Sequence, residues 1–153
     1  MRLRFMVALA ATLGTVTVAE ACPDWQLQPS FGQINLNAGF LPDPFLRSVT
    51  AGGGFNLGQC GFAYPGWVAA RPDFDLYYQA GSNRLTITIQ SATDTILLIN
   101  DPNGRWLFND DAPGMGTGAS ITIQNPPTGL YDIWIGTYNR ASGIPATLVI
   151  TER

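Results

Sequence analysis

Apolar and polar residues alternate with a period of two along most of this chain. The clearest case is Arg84–Gln90, where Leu85, Ile87 and Ile89 alternate with polar residues, the pattern of a half-buried β-strand. Ser120-Ile-Thr-Ile-Gln124 repeats it, and Phe74, Leu76 and Tyr78 share one face of a further strand. Asp94–Asn100 is a more continuous apolar run, as expected of a central strand buried on both faces. Leu130–Tyr138 places Tyr131, Ile133 and Ile135 on one face and Asp132, Trp134 and Tyr138 on the other, with Gly136 between them. Arg47–Ala51, Arg105–Asn109 and Ala146–Thr151 complete the set. After the first 21 residues no helical period survives inspection.

Turn chemistry separates these runs. Asp101-Pro102-Asn103-Gly104 sets φ with proline and closes with glycine, so Asp94–Asp111 reads as a hairpin running into an acidic pair. Pro126-Pro127-Thr128-Gly129 turns the chain again, while Gly52-Gly53-Gly54 and the 58–66 stretch read as loops. The expected fold is all-β: an antiparallel β-sandwich or jelly roll of about seven to nine short strands.

Composition adds a compartment. Arg2 and Arg4 precede an apolar run from Phe5 to Val18, and Ala19-Glu20-Ala21 fits a small-x-small cleavage site, so 1–21 reads as a signal peptide and 22–153 as a single domain. The apolar run is too short to span a bilayer, so no membrane span is expected after cleavage. Acylation of Cys22 is disfavoured by Glu20 and by Cys60 as an alternative partner. Two cysteines in an exported chain argue for one disulfide, Cys22–Cys60, and for a secreted or periplasmic location.

Charge narrows the partners. Without Arg2, Arg4 and Glu20 the chain keeps six basic and ten acidic residues, a net charge of −4, and every basic residue is arginine. No basic cluster exists, which disfavours nucleic acid and anionic membrane. An extracellular polymer, glycan or protein surface is the expected partner.

The whole chain lacks histidine and lysine, and no Gly-x-Ser-x-Gly occurs. Serine-type hydrolysis needs an imidazole or lysine to move the serine proton, so no catalytic residue is assigned. Carboxylate chemistry remains as an alternative, but Asp110 and Asp111 are adjacent and point apart on extended chain, unlike acids that face each other across a sugar. Asp94, Asn109, Asp110 and Asp111 instead form a candidate calcium site built from oxygen ligands. The plainer alternative is a solvated turn, with Asp94 capping neighbouring amides. No cofactor is required.

Asp132, Trp134 and Tyr138 are a candidate aromatic binding face if solvent reaches it. If a layer covers it they are core, which the usual burial of tryptophan favours. Trp106 and Phe108 read as core-directed, and Trp25 and Trp67 as packing around the disulfide.

Asp94–Asp111, Ser120-Ile-Thr-Ile123 and Thr128-Gly129-Leu-Tyr131-Asp-Ile-Trp-Ile135 together resemble the bacterial pre-peptidase C-terminal domain family, from about Asp73 to Glu152. The first half, with Ala38-Gly39-Phe40, Pro42-Asp43-Pro44, Cys60 and Pro72-Asp73-Phe74, resembles a stand-alone secreted variant. The resemblance implies a secreted β-sandwich serving adhesion or substrate docking, sometimes with bound calcium. Two readings stand beside this non-catalytic binding module: a carboxylate-dependent hydrolase, and an envelope structural protein without a small ligand.

Overall fold

The computed structural model describes residues 22–153; the expected signal peptide, 1–21, lies outside them. Eleven strands form two sheets, and among the described residues there is no helix. The smaller sheet contains β2 (Phe45–Ala51), β11 (Ile144–Thr151), β6 (Leu85–Gln90) and β9 (Ser120–Ile123), in that spatial order. Period two explains β6: Leu85, Ile87 and Ile89 are wholly buried. Its polar face forms hydroxyl pairs with β9, Thr86 with Thr122 at 3.0 Å and Thr88 with Ser120 at 2.7 Å.

The larger sheet is centred on β10 (Gly129–Thr137), which pairs on one side with β5 (Phe74–Gln79) and on the other with β7 (Thr95–Asn100). β1 (Gln33–Asn37) borders β5, and β8 (Trp106–Asn109) borders β7. Two short strands, β3 (Phe55–Asn56) and β4 (Trp67–Val68), meet the end of β10 through Thr137 opposite Trp67. Gly136 permits that approach, since a Cβ there would lie 2.3 Å from the Trp67 carbonyl oxygen.

The sheets enclose one core, to which Leu76, Tyr131, Ile133, Ile87 and Leu148 contribute. A second, smaller cluster lies on the opposite face of the larger sheet. There a strap, residues 57–66, covers Leu57, Val68, Ile96, Leu98 and Trp134. β7 is therefore buried at all six positions, because Leu97 and Ile99 face one cluster and Ile96 and Leu98 the other. The Cys22–Cys60 disulfide, Cα–Cα 5.5 Å, ties the strap to the N-terminal segment.

The β-sandwich is as expected, with one difference in pairing. β1 and β5 run parallel, so the larger sheet is mixed rather than antiparallel throughout. Between them the chain visits the other sheet as β2, and a long crossover of that kind is what parallel neighbours require.

Candidate functional site

The larger sheet's outer face is only half covered by the strap. Across its other half the strand register lines up Gln33, Asp75, Asp132, Asn100 and Trp106, one from each of β1, β5, β10, β7 and β8. Asp75 and Asp132 sit directly opposite each other in an antiparallel pair, which brings their Cβ atoms to about 5 Å. Both are buried, as is Asn100, and one oxygen of each acid has no protein partner. Burial, then the charge of Asp75 and its hydrogen bond, push the Asp132 carboxyl up to about 7. Burial also raises Asp75, while its contact with Asp132 opposes that rise. Two carboxyls this close disfavour each other's ionisation.

Asp132 and Asn100 lie at the floor of an open cleft of about 460 Å³, with Trp25 and Trp106 among its walls. Trp106 is braced by Phe62 of the strap, edge-on at 5.0 Å, and by Trp134 at 5.4 Å. Trp25 is positioned differently. The disulfide at Cys22 and the bond from the Asp24 amide to the Ala70 carbonyl, 2.8 Å, fix the segment that carries it. Its ring is 51% exposed.

The β7–β8 turn forms another wall. Asp101 Oδ1 accepts the Asn103 and Arg105 amides, both at 2.9 Å, and Oδ2 accepts Arg105 Nε at 2.7 Å. Burial works to raise the Asp101 carboxyl, but these bonds and the Arg105 charge outweigh it and hold it below the usual range. The Arg105 guanidinium is thereby occupied within the turn.

A second hollow of about 280 Å³, lined by Asn35, Asn37, Tyr77 and Gln79, shares Thr128 and Gly129 with the first. Gly129 has φ +146°, and a Cβ there would lie 2.8 Å from Pro102 Cβ. Glycine thus lets Pro102 pack directly against the backbone where the two hollows meet.

The structure distributes the expected site residues unevenly. Asp132 lies in the cleft, but Trp134 is wholly buried beneath the strap, with its indole N–H 3.4 Å from the Ala70 carbonyl, and offers no surface to a ligand. Tyr138 is 43% exposed but lies past the end of β10. The three therefore form no shared aromatic platform; covering by the strap removes its centre. Trp25 lines the cleft, and Trp67 stacks under Arg140 at 5.1 Å. Trp106 and Phe108 pack against the second cluster.

Asp94, Asp110 and Asp111 do approach one another. Burial, then the charges of Asp111 and Asp110, raise the Asp94 carboxyl, and Asp94 Oδ1 is buried without a partner. Asn109 is differently engaged: its Oδ1 accepts the Ser120 amide at 2.9 Å. Asp110 Oδ1 accepts the Asp111 amide, also at 2.9 Å. Among the described residues no three acids converge into a ready-made metal shell.

Asn100 and Trp25 complete the cleft, and Asp75 lies beside its floor opposite Asp132; sequence reasoning identified none of the three as site residues. Strand alternation alone puts Asp75 on the polar face of β5, but only the register reveals Asp132 opposite it.

No protein-family model and no curated protein matches this chain. Among solved structures, it is similar to the pre-peptidase C-terminal domain of collagenase from Bacillus anthracis, with a TM-score of 0.44 and 10% identity over 78% of this chain and 94% of that one. It is also similar to a periplasmic inhibitor of g-type lysozyme from Aeromonas hydrophila, with a TM-score of 0.36 and 14% identity over 78% of this chain and 96% of that one. Likenesses of this depth transfer neither ligand nor activity, so function rests on the site's own geometry.

Proposed function

We propose that the protein is a secreted, non-catalytic binding module that docks on an extracellular polymer, glycan or protein surface through the Trp25–Trp106 cleft. The observation that carries this reading is the cleft itself: two tryptophan walls over a floor of Asn100 and Asp132, open to solvent and within the usual size range of ligand sites. Secretion is supported by the disulfide, which persists in oxidising compartments. A non-catalytic role is supported by the lack of histidine and lysine. The buried acids add to it, because Asp75 and Asp132 sit opposite each other in the β5–β10 pair with a solvent-shielded oxygen each, and so do not flank an open space for a sugar and a water.

Calcium stabilisation of the Asp94, Asp110 and Asp111 loop belongs to the same proposal. It is supported by the mutual repulsion of these acids and the unpartnered Asp94 oxygen, both of which a cation would relieve.

The test is a binding screen of the mature protein against cell-wall polysaccharides and secreted proteins, read by tryptophan fluorescence and by co-sedimentation. Trp25→Ala should weaken the ligand found by about tenfold, ~1.4 kcal/mol, without shifting the melting temperature, since the ring is half exposed. Undiminished binding by Trp25→Ala, or turnover of any ligand by the wild type, refutes the proposal.

A further inference from the structure

We infer that the half of the larger sheet's outer face left free by the strap carries a continuous groove for a neutral polysaccharide chain, running from the Trp25–Trp106 cleft across to Tyr77 and Asn35. This rests on the binding-module reading and extends it in two respects, the ligand class and a second subsite.

Continuity comes first. The two hollows meet at Thr128 and Gly129, which line both. From Trp106 on β8 to Tyr77 on β5 the sheet crosses three strand spacings, ~14 Å, which is a path for a chain rather than a pocket for one small molecule. The β1–β5 end of the path is uncovered, since Gln33, Asn35, Asn37 and Gln79 are all exposed and Tyr77 is 40% exposed, whereas Asp132 and Asn100 lie buried at its floor.

Ligand class follows from the lining. Trp25 and Tyr77 are exposed rings that line different hollows, so they do not join into the contiguous apolar patch of a protein interface. A flat ring can take the C–H face of a sugar, while its hydroxyl edge needs groups that both donate and accept. The side-chain amides of Asn35, Asn37, Gln79 and Asn100 do both.

Charge decides against the competitors. No basic side chain is among those lining either hollow, and Arg105 is engaged by Asp101. An anionic polymer would meet Asp132 with no cation to receive it, and nucleic acid is excluded on the same ground.

The experiment is calorimetric titration of the mature protein with cello-, xylo-, chito- and malto-hexaoses, their disaccharides, and polygalacturonate as the anionic arm. At least one neutral hexasaccharide should bind, at least tenfold more tightly than its disaccharide, and polygalacturonate should not. Tyr77→Ala should weaken the hexasaccharide about tenfold and leave the disaccharide unchanged, whereas Trp25→Ala should weaken both. Both residues are about half exposed, so melting temperatures should stay close to the wild type. Equal affinity for hexa- and disaccharide, or indifference to Tyr77→Ala, overturns the groove while leaving the single-cleft module standing. Failure of every neutral glycan overturns the ligand class; Trp25-dependent binding of a peptide or protein in that case would leave the module reading intact. Glycan binding untouched by Trp25→Ala would overturn both.

Discussion

Asp73 occupies a gap in the larger sheet, and its ionisation should set much of the protein's pH dependence. β5 pairs with β10 only as far as Phe74 opposite Ile133, and β4 takes over at Thr137. Between them the Ile135 amide has no strand partner on that side, and Asp73 Oδ2 accepts it at 2.6 Å. The carboxyl is almost wholly buried. Burial pushes it up to about 7 from its ordinary 3.8, and the Ile135 bond offsets this only in part. A raised folded-state value means that the folded protein holds the proton over a range where the unfolded chain has lost it. The associated stability is fully present below 3.8 and is lost as pH rises through about 7. At ~1.4 kcal/mol per pH unit the whole effect is roughly 4 kcal/mol, of which about 3 falls between pH 5 and pH 8.

The perturbation that isolates this is Asp73→Asn, because the amide keeps an oxygen for the Ile135 N–H but never ionises. Urea denaturation of wild type and variant at pH 5 and pH 8 measures it. Any packing cost of the amide enters at both pH values, so the quantity to read is the change in their difference. The variant should gain about 3 kcal/mol relative to wild type on going from pH 5 to pH 8. Asp132 and Asp75 add pH dependence of the same sign in both proteins and largely cancel in the comparison. A difference between the two proteins that is the same at both pH values would refute the assignment of a buried, proton-holding Asp73.

Three further outcomes follow from the same geometry. Asp101→Asn should cost about 1–3 kcal/mol at pH 7 and progressively less as pH falls, since a lowered carboxyl contributes stability above its ordinary range and loses it on protonation; denaturation at pH 7 and pH 3 checks this. Reducing Cys22–Cys60, which closes a separation of 38 residues, should lower stability by about 4 kcal/mol in the chain-entropy limit and shift tryptophan emission as the strap loosens over Trp134; unchanged emission would dissociate bridge from strap. Calcium at a hundredfold excess over its Kd should raise stability by about 2.7 kcal/mol, with Asp111→Asn weakening the response, whereas equal melting temperatures in chelator and millimolar calcium would leave Asp94, Asp110 and Asp111 as ordinary loop carboxylates.

The strands that could be read from sequence are those whose burial is local. In β6 and β9 one face meets the core and the other meets solvent or hydroxyl partners, so alternation reports the sheet directly. β7 was legible as a continuous run for the converse reason, because the strap covers its second face. β1 left a weak trace: Gln33-Ile-Asn-Leu-Asn37 offers two apolar residues among three polar ones, and it is a strand because β5 supplies an edge. β3 and β4 span two residues each and can show no period.

The cleft was hidden for a related reason. Asp132 was recognisable as a polar residue on an otherwise apolar strand, but its apparent companions were its neighbours along the chain, Trp134 and Tyr138. Its actual companions come from across the sheet, Asp75 on one side and Asn100 on the other, and only register supplies them. Trp25 comes from a segment without periodicity, placed by a covalent bridge rather than by a pattern. That bridge connects the two halves of the face. The strap it anchors buries Trp134 and braces Trp106, and the segment on its other side carries Trp25 over the cleft. The covered half thus serves as the footing for the other, which is why the disulfide should govern how firmly the ligand groups are held.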